Sequence, residues 1–172
     1  LQHSNIASMT LQQNLESTVE IDRPHIVCVQ EPLCNKKHNL MDIPKGYITY
    51  HKILTDNNPR AAIILSKTAS QNIMYHDNLS DRDTCTISFQ HATVNNKRVF
   101  LCSSYMPYEK VIEDGLCMEV IKHTDRSEQG LIICCDSNAR SIQWGNETTN
   151  KRGKELEEIL LGNSLTISNQ NF

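Results

Sequence analysis

Long apolar runs are missing from this sequence. Nothing approaches the roughly 18 consecutive apolar residues of a membrane-spanning helix. Residues 1–20 show neither a basic start leading into an apolar block nor a small-residue cleavage site, so no secretory signal is expected. CxxC pairs are missing too. The seven cysteines stand at 28, 34, 85, 102, 117, 134 and 135, and the odd count argues against a disulfide framework. Five of them, Cys28, Cys85, Cys102, Cys134 and Cys135, lie inside apolar strand-like runs, where a free thiol behaves as a small hydrophobe. That usage points to a reducing compartment. The seven histidines are scattered, which argues against structural zinc, a site that needs His and Cys at short spacings. A positive excess is absent as well. The net charge of −3 argues against a module that holds nucleic acid by bulk electrostatics alone, yet suits an enzyme that uses acids to hold a metal beside phosphate. The sequons at Asn78 and Asn146 are read as chance in a chain with no secretory signal. There is no internal repeat, low-complexity tract or linker, so residues 1–172 are read as one domain with one core.

What the sequence does contain is alternating strand and helix patterning. LQQNLESTVEI places Leu11, Leu15 and Val19 at helical spacing, with Ser8 or Thr10 as candidate N-cap. HIVCVQE (25–31), KGYITYHKI (45–53), RAAIILSK (60–67), QNIMYH (71–76), TCTISFQHATV (84–94) and KRVFLCSSY (97–105) read as strands. Asn95-Asn96 is a hairpin turn signal between the last two. A helical face recurs at 112, 116, 117, 120 and 121 within residues 108–124. LIICC (131–135) is a further strand, residues 151–163 form a helix with Gly162-Asn163 as C-cap, and SLTIS (164–168) is expected as a last strand. Mixed α/β architecture follows, with hairpins that exclude a purely parallel sheet.

Three of these strands deliver polar chemistry at their C-terminal ends. HIVCVQE ends on Gln30-Glu31, VFLCSSY on Ser103, Ser104 and Tyr105, and LIICCD on Asp136 with Asn138 beyond. Ligands of open α/β sheets bind outside the carboxyl ends of strands. Two carboxylates are hard oxygen ligands for Mg²⁺ or Mn²⁺. Tyr and Asn supply neutral hydrogen bonds to a phosphoryl oxygen or a water, so the set suits metal-assisted phosphodiester hydrolysis. The plainer alternative is three strand ends that simply reach water.

At these residues the chain resembles the endonuclease/exonuclease/phosphatase superfamily, and within it the apurinic-type endonuclease domains of insect-like, site-specific non-LTR retrotransposons. VCVQEP (27–32) is similar to the family's metal-glutamate motif and SSYMP (103–107) to its tyrosine motif. CDSNARSIQWG (135–145) followed by TNKRG (149–153) resembles its Asp-x-Asn motif with the trailing Trp-Gly and Asn-x-Arg-Gly. PRAAIILS (59–66) and LSDRDTCTISF (79–89) look like further matching segments. The resemblance implies a four-layer α/β sandwich, two packed mixed sheets flanked by helices, incomplete at the termini. It implies a DNA-nicking enzyme using Mg²⁺ or Mn²⁺: Glu31 on the metal, Asp136 orienting or deprotonating the attacking water, Asn138 holding Asp136 or the phosphate, and Tyr105 hydrogen-bonded to the scissile phosphate. It further implies DNA as partner, a reverse transcriptase domain following in the parent protein, a monomer, and a nuclear location reached from the cytoplasm.

Two departures from the family pattern qualify that expectation. The family's first-strand Asn is either Asn5, as a second metal ligand, or a residue upstream of residue 1. Its Ser-Asp-His segment has no counterpart before Phe172, so the chain reads as a truncated or decayed copy as well as an active domain. A phosphatase of the same superfamily is a third reading. Trp144 is expected either stacked on DNA or as a loop anchor. Asn150 and Arg152 are expected on the DNA backbone or as helix-start polarity. Lys151, Arg152 and Lys154 at a helix N-terminus oppose its dipole. Arg60 is read as a buried ion-pair partner, and Asp81, Arg82 and Asp83 as a turn.

Overall fold

The computed structural model describes residues 10–13, 15–16, 23–70, 72–90 and 97–168. Among the described residues, seven strands make two sheets. β1 (Ile26–Gln30), β2 (Tyr47–Tyr50) and β3 (Ala61–Ser66) form one, in the order β1-β3-β2 and antiparallel throughout. β4 (Ile73–Tyr75), β5 (Thr84–Gln90), β6 (Arg98–Tyr105) and β7 (Gly130–Asp136) form the other in sequence order. The first two pairings of this second sheet are antiparallel and β6–β7 is parallel. A parallel neighbour needs a crossover, and helix α1 (Leu116–Arg126) supplies it. Helix α2 (Lys151–Gly162) follows β7.

Side-chain alternation explains why the sheets stack. Ala61, Ile63 and Leu65 of β3 face Cys85, Ile87 and Leu101 of the second sheet in one buried cluster. The intervening Ile64 points the other way, to Val29 and to Leu15 of the helical turn at residues 10–15. β3 is therefore covered on both faces and reads as an unbroken apolar run. On the far side of the second sheet, Phe100 and Cys102 pack beneath Cys117, Met118, Val120 and Ile121 of α1 and Leu156 and Ile159 of α2. Helical turn, sheet, sheet and helices give the four layers that the sequence resemblance implied. Among the described residues no helix is long and apolar enough to cross a membrane.

Four local expectations change. The helical pattern over 108–124 is cut in two: a 3-10 turn (Ile112–Asp114) precedes Gly115, whose extended backbone (φ −76°, ψ 146°) restarts the chain as the N-cap of α1. Thr10 lies inside its helical turn and so is not the cap. Gly162 is the last helical residue and Asn163 is the C-cap as expected, but the left-handed position falls one residue later, on Ser164 (φ 54°). SLTIS makes no strand, since its described residues pair with no sheet; Leu165 instead donates its N–H to the Leu160 carbonyl and packs on the helical side of the core. Asn5, Ser8 and Asn95-Asn96 lie outside the described residues.

Ile87 is fully buried between the sheets. Ile87→Ala should cost about 2–5 kcal/mol, read as a lower urea midpoint with unchanged slope.

Candidate active site

β6 and β7 run side by side to a common end. Their parallel register pairs Ser103 with Cys134, Ser104 with Cys135 and Tyr105 with Asp136. The phenol and the carboxylate thus leave adjacent strands at the same level. The Met106 N–H then donates to the Asp136 carbonyl (2.8 Å), which extends the pairing one step past the tips.

Glu31 reaches the same end from the other sheet. Gln30, the last residue of β1, donates its side-chain amide to Ser103 Oγ (3.0 Å) and to the Cys134 carbonyl (3.1 Å). Ser103 Oγ in turn donates to the Val29 carbonyl (3.2 Å). These contacts fix β1 across the second sheet two residues before Tyr105 and two before Asp136. The next residue, Glu31, turns at φ 50° with its N–H on the Arg60 carbonyl (2.8 Å). A left-handed conformation is uncommon for a glutamate, and such backbone outliers concentrate at functional sites. Asn138 also sits at φ 50°, a conformation Asn tolerates better.

The expectation that Asn138 holds Asp136 is met by the backbone rather than the side chain. The Asn138 N–H donates to Asp136 Oδ1 (3.1 Å), while its side-chain amide donates to the Met106 carbonyl (3.1 Å). Asp136 is thereby aimed by an Asx turn, and the loop after β7 is tied to the loop after β6.

Asn-x-Arg-Gly acts behind these loops. Arg152, expected either on the DNA backbone or as helix-start polarity, is 8% exposed. Its guanidinium donates to the carbonyls of Ser137 (3.0 Å), Lys110 (2.7 Å), Pro107 (3.0 Å) and Met106 (3.3 Å). All four belong to the two loops that carry the tips, so the cation is consumed internally. Asn150 caps α2, accepting from the Gly153 N–H (2.7 Å) and the Arg140 N–H (3.2 Å). At position 153 a Cβ would lie 1.9 Å from the Arg140 carbonyl oxygen, so only glycine fits. Trp144 is half-buried against the helical side of the core and donates its indole N–H to the Ala139 carbonyl (3.2 Å), which is the loop-anchor alternative. Lys151 projects into solvent near Glu155 (3.9 Å), a partner that softens its conflict with the dipole.

A charged cluster missed as a site by sequence reasoning stands beside Tyr105. Arg60 Nε meets Asp83 Oδ1 at 2.6 Å, Lys110 Nζ meets Asp83 Oδ2 at 3.0 Å, and the Arg60 guanidinium lies over the Tyr105 ring at 4.7 Å. The ion pair was legible in Arg60 and the turn in Asp81–Asp83; their joining was not, because the partners are 23 residues apart. Burial pushes the Asp83 carboxyl up, but hydrogen bonds and charge from Arg60 and Lys110 outweigh it and hold the group below its ordinary value. Burial pushes neighbouring Asp81 up. Between the sheets, a hydrogen bond from the Cys28 thiol holds Cys134 at about 7 and drives Cys28 itself upward.

Glu31, Asp136 and the Asn138 amide are the residues at these strand ends that could offer hard oxygens to a metal. Among the described residues no group of three or more His, Cys, Asp or Glu assembles as a metal cluster. A separate cleft of about 420 Å³, lined by Val111, Met118, Glu155, Glu158 and Ile159 among others, contains none of the tip residues.

Two predictions follow from the packing here. Arg152→Met removes four charge-assisted hydrogen bonds, leaving the Ser137 and Lys110 carbonyls without this donor, and should cost more than about 3 kcal/mol in chemical denaturation; Arg152→Lys should recover little, since one ammonium does not reproduce the planar fork. Asp83, depressed in the fold, stabilises fully above its unfolded value of about 3.9, and that contribution is lost as pH falls through its folded value. The stability difference between the native chain and Asp83→Asn should hold steady above about pH 5 and shrink below pH 4. The difference is the readout because Asp81 titrates in the opposite sense.

Residues 99–171 match the family model described as endonuclease-reverse transcriptase. The structure is similar to the endonuclease domain of TRAS1, a telomere-specific non-LTR retrotransposon, with TM-score 0.76 and 21% identity over 98% of this chain and 70% of that one. It is also similar to the catalytic domain of APE2 from Xenopus laevis, with TM-score 0.55 and 13% identity over 90% of this chain and 65% of that one. No curated protein matches by sequence. The match to the endonuclease-reverse transcriptase model lies in residues 99–171, and the fold as a whole is similar to that of the TRAS1 endonuclease domain.

Proposed function

We propose that this chain is a divalent-metal-dependent DNA endonuclease domain of a non-LTR retrotransposon, a nuclear protein that nicks DNA as a monomer and works in one polypeptide with a reverse transcriptase. The observation that carries the reading is the pairing of Tyr105 with Asp136 at the ends of parallel strands, with Glu31 delivered to the same end by the Gln30 bridge. The family match over residues 99–171 and the fold likeness to TRAS1 support it.

Asp136 takes the proton of the attacking water, whose oxygen forms the new bond to phosphorus as the bond to the leaving oxygen breaks. Its carboxylate is aimed for this by the Asn138 N–H. Tyr105 donates its hydroxyl to a non-bridging phosphate oxygen. Glu31 would hold Mg²⁺ or Mn²⁺, which would neutralise charge on the phosphate. Rigid strand ends suit this work, because a misplacement of 1 Å can cost about 10²-fold in rate.

The test is nicking of supercoiled plasmid in Mg²⁺ or Mn²⁺ by the native chain and by Glu31→Ala, Asp136→Ala and Tyr105→Phe. The first two should lose about 10²–10⁴-fold in rate and chelator should abolish the activity. Equal rates for native chain and Glu31→Ala would instead support a non-catalytic copy of the domain. Turnover of a small phosphomonoester with no nicking would support the phosphatase reading.

A further inference from the structure

We propose that Arg60 is a positioning residue that locks the Tyr105 ring to the Glu31 turn across the two sheets; this rests on the hydrolytic reading above. Arg60 immediately precedes β3, in the sheet that carries Glu31. Its carbonyl accepts the Glu31 N–H at 2.8 Å, and its own N–H donates to the Arg82 carbonyl at 2.6 Å. Its side chain crosses to the other sheet, where the guanidinium lies over the Tyr105 ring with 4.7 Å from Cζ to the ring centre.

The contact is held from several sides. Asp83 grips Arg60 Nε at 2.6 Å, and the carbonyl of the same Asp83 accepts the Tyr105 N–H at 2.8 Å. One aspartate thus fixes the cation through its carboxylate and the tyrosine through its backbone. Lys110, on the loop after β6, closes on the other Asp83 oxygen at 3.0 Å. The Arg60 side chain is 15% exposed and that of Asp83 9%, so solvent screens the pair weakly. Glu109, at 3.9 Å from Arg60 Nη1 and 72% exposed, is peripheral.

A plane is needed for this. A guanidinium stacks on a ring and keeps its in-plane N–H groups for a carboxylate, whereas an ammonium is a point charge that can satisfy Asp83 without covering the ring. Arg60→Lys therefore separates positioning from charge. Fluorine NMR of the chain labelled with 3-fluorotyrosine reads the ring without substrate. Five tyrosines give five resonances, and Tyr105→Phe identifies the one that matters. In Arg60→Lys that resonance should shift and the other four should stay. Asp83→Asn, which keeps the guanidinium but weakens its anchor, should shift it in the same sense by less, and stands in should the lysine variant fail to fold.

In plasmid nicking, Arg60→Lys should lower kcat about 10–10²-fold with KM within about twofold, since a ring out of place weakens the transition state more than DNA binding. In a Tyr105→Phe background the same change should have no further effect on kcat. Glu109→Gln should match the native chain. An unmoved Tyr105 resonance, or rate losses that multiply in the double variant, would overturn the proposal. Full activity in Glu31→Ala would overturn the hydrolytic reading alone, because the fluorine measurement still decides whether Arg60 fixes the ring.

Discussion

Everything at the strand tips depends on the parallel pairing of β6 with β7. Only in that register do Tyr105 and Asp136 stand opposite each other. A slip of one residue would turn every side chain of β7 to the opposite face, placing Cys135 where Asp136 stands. Apolar burial prevents the slip. Leu131 and Ile133 of β7 pack on the helical side with Phe100 and Cys102, while Cys134 faces the other sheet with Leu101. The crossover helix α1 seats Val120 and Ile121 in the same cluster. An apolar run that ends on a bare aspartate is therefore a register device: the buried residues choose the alignment and the polar end inherits it.

Two buried arginines serve that alignment in different ways. Arg152 has no carboxylate partner among its hydrogen bonds and is surrounded by carbonyls of the loops after β6 and β7. Arg60 is paired with Asp83 and presents its flat face to Tyr105. Isolated buried charge is costly, and four charge-assisted hydrogen bonds offset that cost for Arg152. The result is loop backbone tied down without water at the place where the two tips leave their strands. In a chain of net charge −3, placing these cations behind the acids also keeps positive potential close to Asp136 and Glu31.

Much of this was legible from residue order, and the reason is physical. Alternation and β-branching identify strands because a half-buried strand must repeat every two residues, and the polar ends of β1, β6 and β7 stood out against their apolar runs. The four layers came with the resemblance rather than with the pattern. What failed was the assignment of partners. Arg152 carries the same donors whether it faces phosphate or carbonyl oxygen, so composition could not tell a DNA contact from an internal clamp. The same ambiguity let Asn150 be read as a backbone contact or a cap, and two N–H donors on its side-chain oxygen decide for the cap. SLTIS alternates like a strand, yet alternation supplies no neighbour, and Leu165 spends its N–H on closing α2. The Arg60–Asp83–Tyr105 contact joins three separate segments and leaves no local trace in any of them.

Two of the left-handed residues, those at the strand tips, show how this support reaches the reactive groups. Glu31 and Asn138 both turn the chain just past a strand end with φ near 50°, a conformation costing roughly 1–2 kcal/mol for a side chain bearing a Cβ. Glycine would relieve it and would remove the side chains the site is built from. The strain persists because each turn is held at its amide: the Glu31 N–H by the Arg60 carbonyl, the Asn138 N–H by the Asp136 carboxylate. Each amide partner lies next to or within an arginine-held segment, since Arg60 is itself anchored by Asp83 and the Ser137 carbonyl is gripped by Arg152. Strain at the tips and burial of the two cations are therefore one arrangement. Loosening Arg152 should relax the turn it supports and let Asp136 swing, whereas Arg60 holds the Glu31 turn through its backbone carbonyl, which a change of side chain leaves in place.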